Sequence, residues 1–225
     1  KKIKSDFKNF ASKLEIKDVR FIPISALNGD NVVERSTNMN WYEGSTLIHL
    51  LENIHIGSDH NHVDCRFPIQ YVIRPQSKEY PDYRGYAGRI DGGVFKVGDE
   101  IIVLPSNQKS KIKSIDTFYT KIVEAFCPMS VCITLENDID ISRGDMLVRQ
   151  DNKPNIEQDI DLMICWMNDK KMMLRGKYTI KHTSQTARCV IKDVKYKIDI
   201  NTLHRIQDDK EIGINEIGRI VIRTT

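Results

Sequence analysis

Gly93-Val94-Phe95-Lys96-Val97-Gly98-Asp99-Glu100-Ile101-Ile102-Val103-Leu104-Pro105-Ser106 decides the fold. Two short β-rich runs flank a Gly-Asp pair, and a proline follows the second. Glycine and proline at those places punctuate strands, because glycine accepts the backbone of a tight turn and proline withholds an N–H from a ladder. The same grammar extends outward on both sides. The sequence predicts strands at Phe67–Arg74, Gly85–Ile90, Gly93–Val97, Asp99–Leu104, Ser110–Ile115, Ser130–Leu135 and Met146–Arg149. Strands this short, with a period of two and brief turns between them, predict a closed or nearly closed β-barrel. Closure also removes the unpaired edges that would invite aggregation.

On the C-terminal side, Asp151–Gln158 is polar, contains Pro154 and reads as a boundary. Beyond it Leu162–Met167, Lys177–His182, Thr186–Lys197 and Gly218–Arg223 predict a second β domain, with Asp208–Glu211 as an exposed turn. On the N-terminal side the character changes. Residues 3–15 predict an amphipathic helix with Phe7, Phe10 and Leu14 on one face, a pattern broken at Asp18. Val19–Ile24 reads as a strand that ends in Ser25-Ala26-Leu27-Asn28-Gly29-Asp30, and Ser45 as the N-cap of a second helix carrying Leu47, Leu50, Leu51 and Ile54. A parallel strand needs neighbours and covered faces. Residues 1–57 supply neither, so they are expected to be the last part of a larger α/β domain, in keeping with a first residue, Lys1, that is not Met. Ser58–Asp64 reads as a polar linker.

Composition sets outer limits. The chain has 225 residues, 40% of them hydrophobic, with 34 basic and 31 acidic residues and a net charge of +3. That near balance makes no case for a nucleic-acid or acidic-membrane partner. No apolar run approaches the roughly 18 residues of a membrane-spanning helix. The cysteines, Cys65, Cys127, Cys132, Cys165 and Cys189, are odd in number and irregular in spacing. They read as reduced and mostly buried thiols of a cytoplasmic protein.

Several stretches resemble one family. Phe21-Ile22-Pro23-Ile24-Ser25-Ala26-Leu27-Asn28-Gly29-Asp30-Asn31 through Trp41-Tyr42-Glu43-Gly44-Ser45 is similar to the end of a G domain. It matches both the aminoacyl-tRNA-carrying elongation factors of eukaryotes and archaea and the large subunit of bacterial sulfate adenylyltransferase. Phe67-Pro68-Ile69-Gln70-Tyr71-Val72, Arg84-Gly85-Tyr86-Ala87-Gly88 and Val103-Leu104-Pro105-Ser106 resemble the sulfate-activating family, as do Leu135–Leu147, Cys165-Trp166-Met167, Gly176–Thr183 and Asn215–Ile220. Pro128 departs from the family, which has glycine there, so that turn is expected to be built differently.

The resemblance implies a mainly β fold: two tandem translation-factor-type β-barrels preceded by the α/β C-terminal remnant of a P-loop G domain. The implied domains are residues 1–57 as the end of the G domain, 58–153 as barrel domain II and 154–225 as barrel domain III, whose last strands would follow Thr225. It implies a subunit that hydrolyses GTP and couples that reaction to the formation of adenylylsulfate and pyrophosphate from ATP and sulfate. The partner would be a small catalytic adenylyltransferase subunit, with no membrane and no nucleic acid. GTP and Mg²⁺ would be bound by the full-length parent. Ser25, Ala26 and Leu27 would form the guanine loop, where a backbone N–H donates to the guanine carbonyl and rejects the amino group of adenine.

This chain carries no G-x-x-x-x-G-K-[ST] loop, no Asp-x-x-Gly switch motif (Asp82-Tyr83-Arg84-Gly85 has the letters but leads into the barrel strand Gly85–Ile90) and no Asn-Lys-x-Asp. By itself it is expected to bind no GTP and to hydrolyse none. Two other functions stay open: an elongation-factor-like protein that clamps aminoacyl-tRNA, and a scaffold for protein contacts. For particular residues the plainer readings are favoured. His60-Asn61-His62 with Asp64 and Cys65 reads as solvated linker ahead of a metal site, and His182 as a part-buried, hydrogen-bonded side chain. Lys109, Lys111 and Lys113, like Lys192, Lys195 and Lys197, read as solvated strand faces, and Trp41-Tyr42 as a packing pair.

Overall fold

The computed structural model describes residues 2–14, 16, 19–54, 60–79 and 81–225, and the chain parts into two compact units, Lys1–Asp59 and His60–Thr225. The second unit opens with nine strands: β1 (Phe67–Ile73), β2 (Gly85–Arg89), β3 (Val94–Lys96), β4 (Glu100–Leu104), β5 (Gln108–Asp116), β6 (Lys121–Ile122), β7 (Glu124–Phe126), β8 (Ser130–Leu135) and β9 (Met146–Arg149). They alternate apolar-in and polar-out, as in the buried Ile112 and Ile115 of β5 against the exposed Lys109, Lys111 and Lys113. The ladder runs β4-β9-β1-β2-β8-β5, and β5 pairs back onto β4, so six antiparallel strands close a barrel. β6 extends β5, and β3 pairs with β7 in a separate ribbon.

Two strands change partners to make the ring. β5 pairs with β4 at Gln108–Lys111 and with β8 from Ile112 to Asp116, in a ladder broken by an irregularity between Ile112 and Ser114. β1 pairs with β9 at Phe67 and Pro68 and with β2 from Ile69 to Ile73, in a ladder broken by an irregularity between Ile69 and Tyr71. Such bulges bend and twist a strand, which lets a short sheet curl onto itself. Phe67, Ile69, Tyr86, Phe95, Ile101, Ile112, Ile133 and Leu147 fill the interior. The Gly98-Asp99 pair explains itself: Gly98 has a φ of +89°, and Asp99 Oδ2 accepts from the Lys96 N–H at 2.8 Å and from Arg149 Nη2 at 2.6 Å. One carboxylate therefore closes the β3–β4 turn and ties it to β9.

A second sheet follows, built from β10 (Asp159–Cys165), β11 (Lys177–His182), β12 (Gln185–Ile198), β13 (Arg205–Ile206) and β14 (Ile217–Thr224). Its order is β10-β14-β12-β11, with β13 on β12, and its core holds Met172, Ile191, Val194, Ile212, Ile220 and Ile222. The outer face carries a lattice of ion pairs. Asp159 meets Lys192 and Arg223, and Asp161 meets Lys195 and Arg219. Arg219 and then Lys195 hold the Asp161 carboxyl down at about 2.

The first unit holds α1 (Lys2–Ala11) and α2 (Leu47–Asn53). With fourteen strands against these two helices among the described residues, the fold is mainly β. Helix α1 stops short of the expected 15: the Lys13 and Leu14 N–H groups donate to Phe10 and Ala11 carbonyls, which tightens the last turn. The expected helix end at residue 15, the break at Asp18 and the boundary at Gly57 and Ser58 fall outside the described residues. The cap of α2 is Thr46, not Ser45, and Thr46 Oγ1 accepts from the His49 N–H at 3.4 Å. Val19–Ile24 forms no strand among the described residues; only Ser25 makes a bridge, to Asp30. The cause is the one that the sequence raises, since a strand without a neighbour has no ladder to join.

Other expectations are corrected by local geometry. Lys197 leaves the lysine face, because irregularities at Ile191/Asp193 and Val194/Tyr196 shift the register of β12. It is only 7% exposed and pairs with Asp209 and Glu216. Cys165 is exposed on β10, whereas Cys65, Cys127 and Cys189 are buried. His182 is exposed beside the β11–β12 turn. Trp41 is 70% exposed and does not pack a core. Residues 60–64 are a tied segment: the Gly93 N–H donates to Asn61 O at 2.7 Å, and Asn152 Nδ2 donates to Asp64 Oδ1 at 3.1 Å. The Cys127–Pro128 peptide bond is cis.

Two predictions follow from this packing. Phe95→Ala removes a fully buried ring and should lower barrel stability by about 3–5 kcal/mol, read from native-state hydrogen exchange of β4 and β9 amides. The depressed Asp161 carboxyl contributes stability that is fully present above its ordinary range near 3.8 and is lost as pH falls toward 2. Asp161→Asn should therefore flatten the dependence of unfolding midpoint on pH between about 4 and 2.

Candidate functional site

The expected guanine loop is an ordered turn on the first unit. The Ser25 N–H donates to Asp30 O at 3.2 Å, and Ser25 Oγ accepts from the Asn28 N–H at 3.4 Å. Gly29 takes a φ of +76°, which an L side chain rarely adopts. Ser25 is half-buried, Ala26 is exposed and Leu27 is 95% exposed. Among the described residues no backbone carbonyl accepts from the Ala26 or Leu27 N–H. The turn is held in shape by its own hydrogen bonds, and these two backbone donors have no backbone acceptor among the described residues.

The residue that organises this turn lies next to it. Asn31 is buried, with a φ of 55°. Its Nδ2 donates to Pro23 O at 2.9 Å, and its Oδ1 accepts from the Ser36 N–H at 2.9 Å. Its carbonyl accepts from the Leu47 N–H at 3.0 Å, while Val32 O accepts from Ile48 N–H. The Asn31 side chain thus clamps the segment before the turn to the loop after it, and the Asn31 backbone carbonyl holds the start of α2. Asp30 Oδ1 adds bonds from Ser36 Oγ at 2.6 Å and Asn38 Nδ2 at 3.3 Å. Sequence reasoning took Asn31 only as part of a run. The signal for it is the Gly29-Asp30-Asn31 order, a turn in which Asn tolerates positive φ and bonds its local backbone.

The barrel carries a separate open cleft of about 970 Å³, walled by Arg74, Arg84, Lys113, Asp116, Lys121 and Glu136 among others. Arg84 is held by Asp138 and by the Ile139 carbonyl at 2.7 Å. Asp116 Oδ2 accepts from Ser114 Oγ at 3.0 Å. Arg84 Nε and Asp116 Oδ1 are buried polar atoms without a hydrogen-bond partner among the described residues. Burial raises the Tyr83 hydroxyl and the Cys132 thiol, whose atoms lie 3.5 Å apart. Both therefore stay protonated at neutral pH. The cleft is a polar wall of mixed charge with no nucleophile–base pair. The described residues contain no group of three or more His, Cys, Asp and Glu side chains placed to hold a metal ion, His60 and His62 included.

Comparison with known proteins now bears on these features. A family model described as GTP-eEF1A C-terminal domain-like matches residues 159–225, the second sheet. The bifunctional enzyme CysN/CysC of Mycobacterium tuberculosis is 47% identical over 99% of this chain and 36% of its own length. Sulfate adenylyltransferase subunit 1 of Bacteroides thetaiotaomicron is 41% identical over 99% of this chain and 47% of its own length. The chain thus spans less than half the length of these curated relatives. A crystal structure of Sup35 with GDP aligns over 98% of this chain and 57% of that one, with a TM-score of 0.66 at 18% identity, a likeness of fold.

Asn31→Ala should strip three side-chain hydrogen bonds, those to Pro23 O and Met39 Sδ and the one from the Ser36 N–H, and place alanine at positive φ. The expected loss is about 2–3 kcal/mol of local stability, read as faster amide exchange at Leu47 and Ile48. Unchanged protection there would show that the clamp is not Asn31.

Proposed function

We infer that this chain, homologous over nearly its whole length to sulfate adenylyltransferase subunit 1, is the barrel-bearing part of the GTP-hydrolysing subunit of that enzyme. It couples GTP hydrolysis to the formation of adenylylsulfate. The observation that carries the reading is 41–47% identity running through both units of the chain.

In that reaction a sulfate oxygen bonds to the α-phosphorus of ATP and pyrophosphate leaves. A small catalytic subunit performs the transfer. Its equilibrium is unfavourable, and the GTPase supplies the missing free energy through an element whose two states differ in their contact with the γ-phosphate. What this chain contributes to nucleotide recognition is the Ser25-Ala26-Leu27 turn. Its backbone donors suit the carbonyl oxygen of guanine and find a donor, not an acceptor, on adenine. Among the described residues no group of three or more His, Cys, Asp and Glu side chains is placed to hold a metal ion, and the sequence carries no phosphate-loop motif, so no phosphoryl step is assigned to these residues. The barrel and the sheet after it would transmit the nucleotide state to the second subunit.

The test uses the full-length parent with its small subunit, ATP and sulfate, and measures adenylylsulfate formation against nucleotide concentration. GTP should stimulate. A 2-aminopurine riboside triphosphate, which lacks the carbonyl oxygen, should bind roughly 10- to 100-fold more weakly. Failure of GTP to stimulate, together with capture of aminoacyl-tRNA, would move the chain to the elongation-factor reading.

A further inference from the structure

We propose that the tip of the β5–β6 hairpin, Phe118-Tyr119, is the anchor by which this chain grips the second subunit of the enzyme. The proposal rests on the reading above that the chain works beside another subunit.

Phe118 is 93% exposed and Tyr119 91% exposed. Their rings stack edge to face at 5.0 Å. The turn beneath them is rigid: the Thr117 N–H and Thr117 Oγ1 both donate to Thr120 O at 2.8 Å, and the Thr120 N–H donates back to Thr117 Oγ1 at 3.2 Å. Neither residue takes a positive φ, so the turn's backbone admits any L side chain, polar ones that face water included. Nothing in the turn's own bonding calls for two large aromatic side chains. Each brings on the order of 150–250 Å² that favours burial.

These rings are not the leftover core of an unfinished domain. The barrel beneath them is closed, and Ile112 and Ile115 of β5 already point into a filled interior. The rings project from a complete body, already paired and already ordered. Ordering costs are therefore small when a partner covers them. The base of the same hairpin forms one wall of the polar cleft, through Asp116 and Lys121, with Lys113 and Glu136 beside them. Aromatic anchors next to a mixed-charge polar rim are the anatomy of an interface hot spot. The surface fits a protein with an apolar socket edged by both signs of charge. The relative from Bacteroides thetaiotaomicron is called subunit 1, so the second subunit is the partner to which the proposal commits.

Two measurements on the full-length parent with its small subunit test this. A photo-crosslinking residue, Tyr119→benzoylphenylalanine, sits on an exposed position and should label the small subunit. Labelling only within its own chain, only of a second copy, or of nothing would overturn the proposal. Phe118→Ala with Tyr119→Ala should raise the dissociation constant for the small subunit by about 30-fold or more, with intrinsic GTP hydrolysis unchanged. Wild-type affinity in this variant would sink the tip while leaving the sulfate-activation reading standing. A wild-type parent that fails to pair with the small subunit would sink both. If the double variant does not fold, the crosslink decides.

Discussion

Closure of the barrel rests on two strands that cannot stay straight. In this ring of six short antiparallel strands, two pair with one neighbour at one end and with another at the other. β5 does so between β4 and β8, and β1 does so between β9 and β2. The irregularities at Ile69/Tyr71 and Ile112/Ser114 are thus the corners of the barrel. The close approach of β1 and β2 is part of the same constraint: a Cβ on Gly88 would lie 2.4 Å from the Pro68 carbonyl oxygen. The cleft opens where the end of β5, the start of β2 and the segment after β1 meet, which brings Asp116, Arg84 and Arg74 to one wall.

Charge follows geometry in both sheets. Asp99 and Arg149 are partly shielded and bonded twice, at 2.6 and 3.1 Å, so their pair fixes a turn to a strand. The Asp159 and Asp161 lattice lies on an open face, where each bond is weak and salt-sensitive. Lys197 differs from both. It is buried, and it is tolerable there because Asp209 and Glu216 both reach it. The lysines of β5 lie on an open strand face, where Lys111 pairs with Glu100.

Most of the strands could be read from alternation and glycine punctuation, because a half-buried strand writes its burial into every second residue. The short β6 and β7 could not, since Lys121–Ile122 and Glu124–Phe126 hold too few residues to show a period. Val19–Ile24 shows the converse failure. Its propensity is real, but a strand is a pairing, and propensity says nothing about whether a neighbour exists. Lys197 escaped because a bulge changes which face a residue meets, and a bulge leaves no mark in the pattern. Asn31 escaped for a related reason: its weight comes from three segments that converge on it in space.

The Ser25-Ala26-Leu27 turn, proposed to read guanine, is a related case. If backbone donors read the base, then the side chains of Ala26 and Leu27 carry little of the chemistry. The functional information then lies in what shapes the backbone, namely the Ser25–Asp30 bridge, the positive φ of Gly29 and the Asn31 clamp. A motif written as Ser-Ala-Leu is therefore a proxy for a conformation, and the residues that enforce it stand three to six positions further on. The hairpin tip works the other way. There the backbone is an ordinary turn, and the function proposed for it lies in the two rings the turn holds out. Recognition by backbone is hidden in sequence and visible in geometry, whereas recognition by exposed aromatic rings is visible in both once the barrel shows that no core of its own needs them.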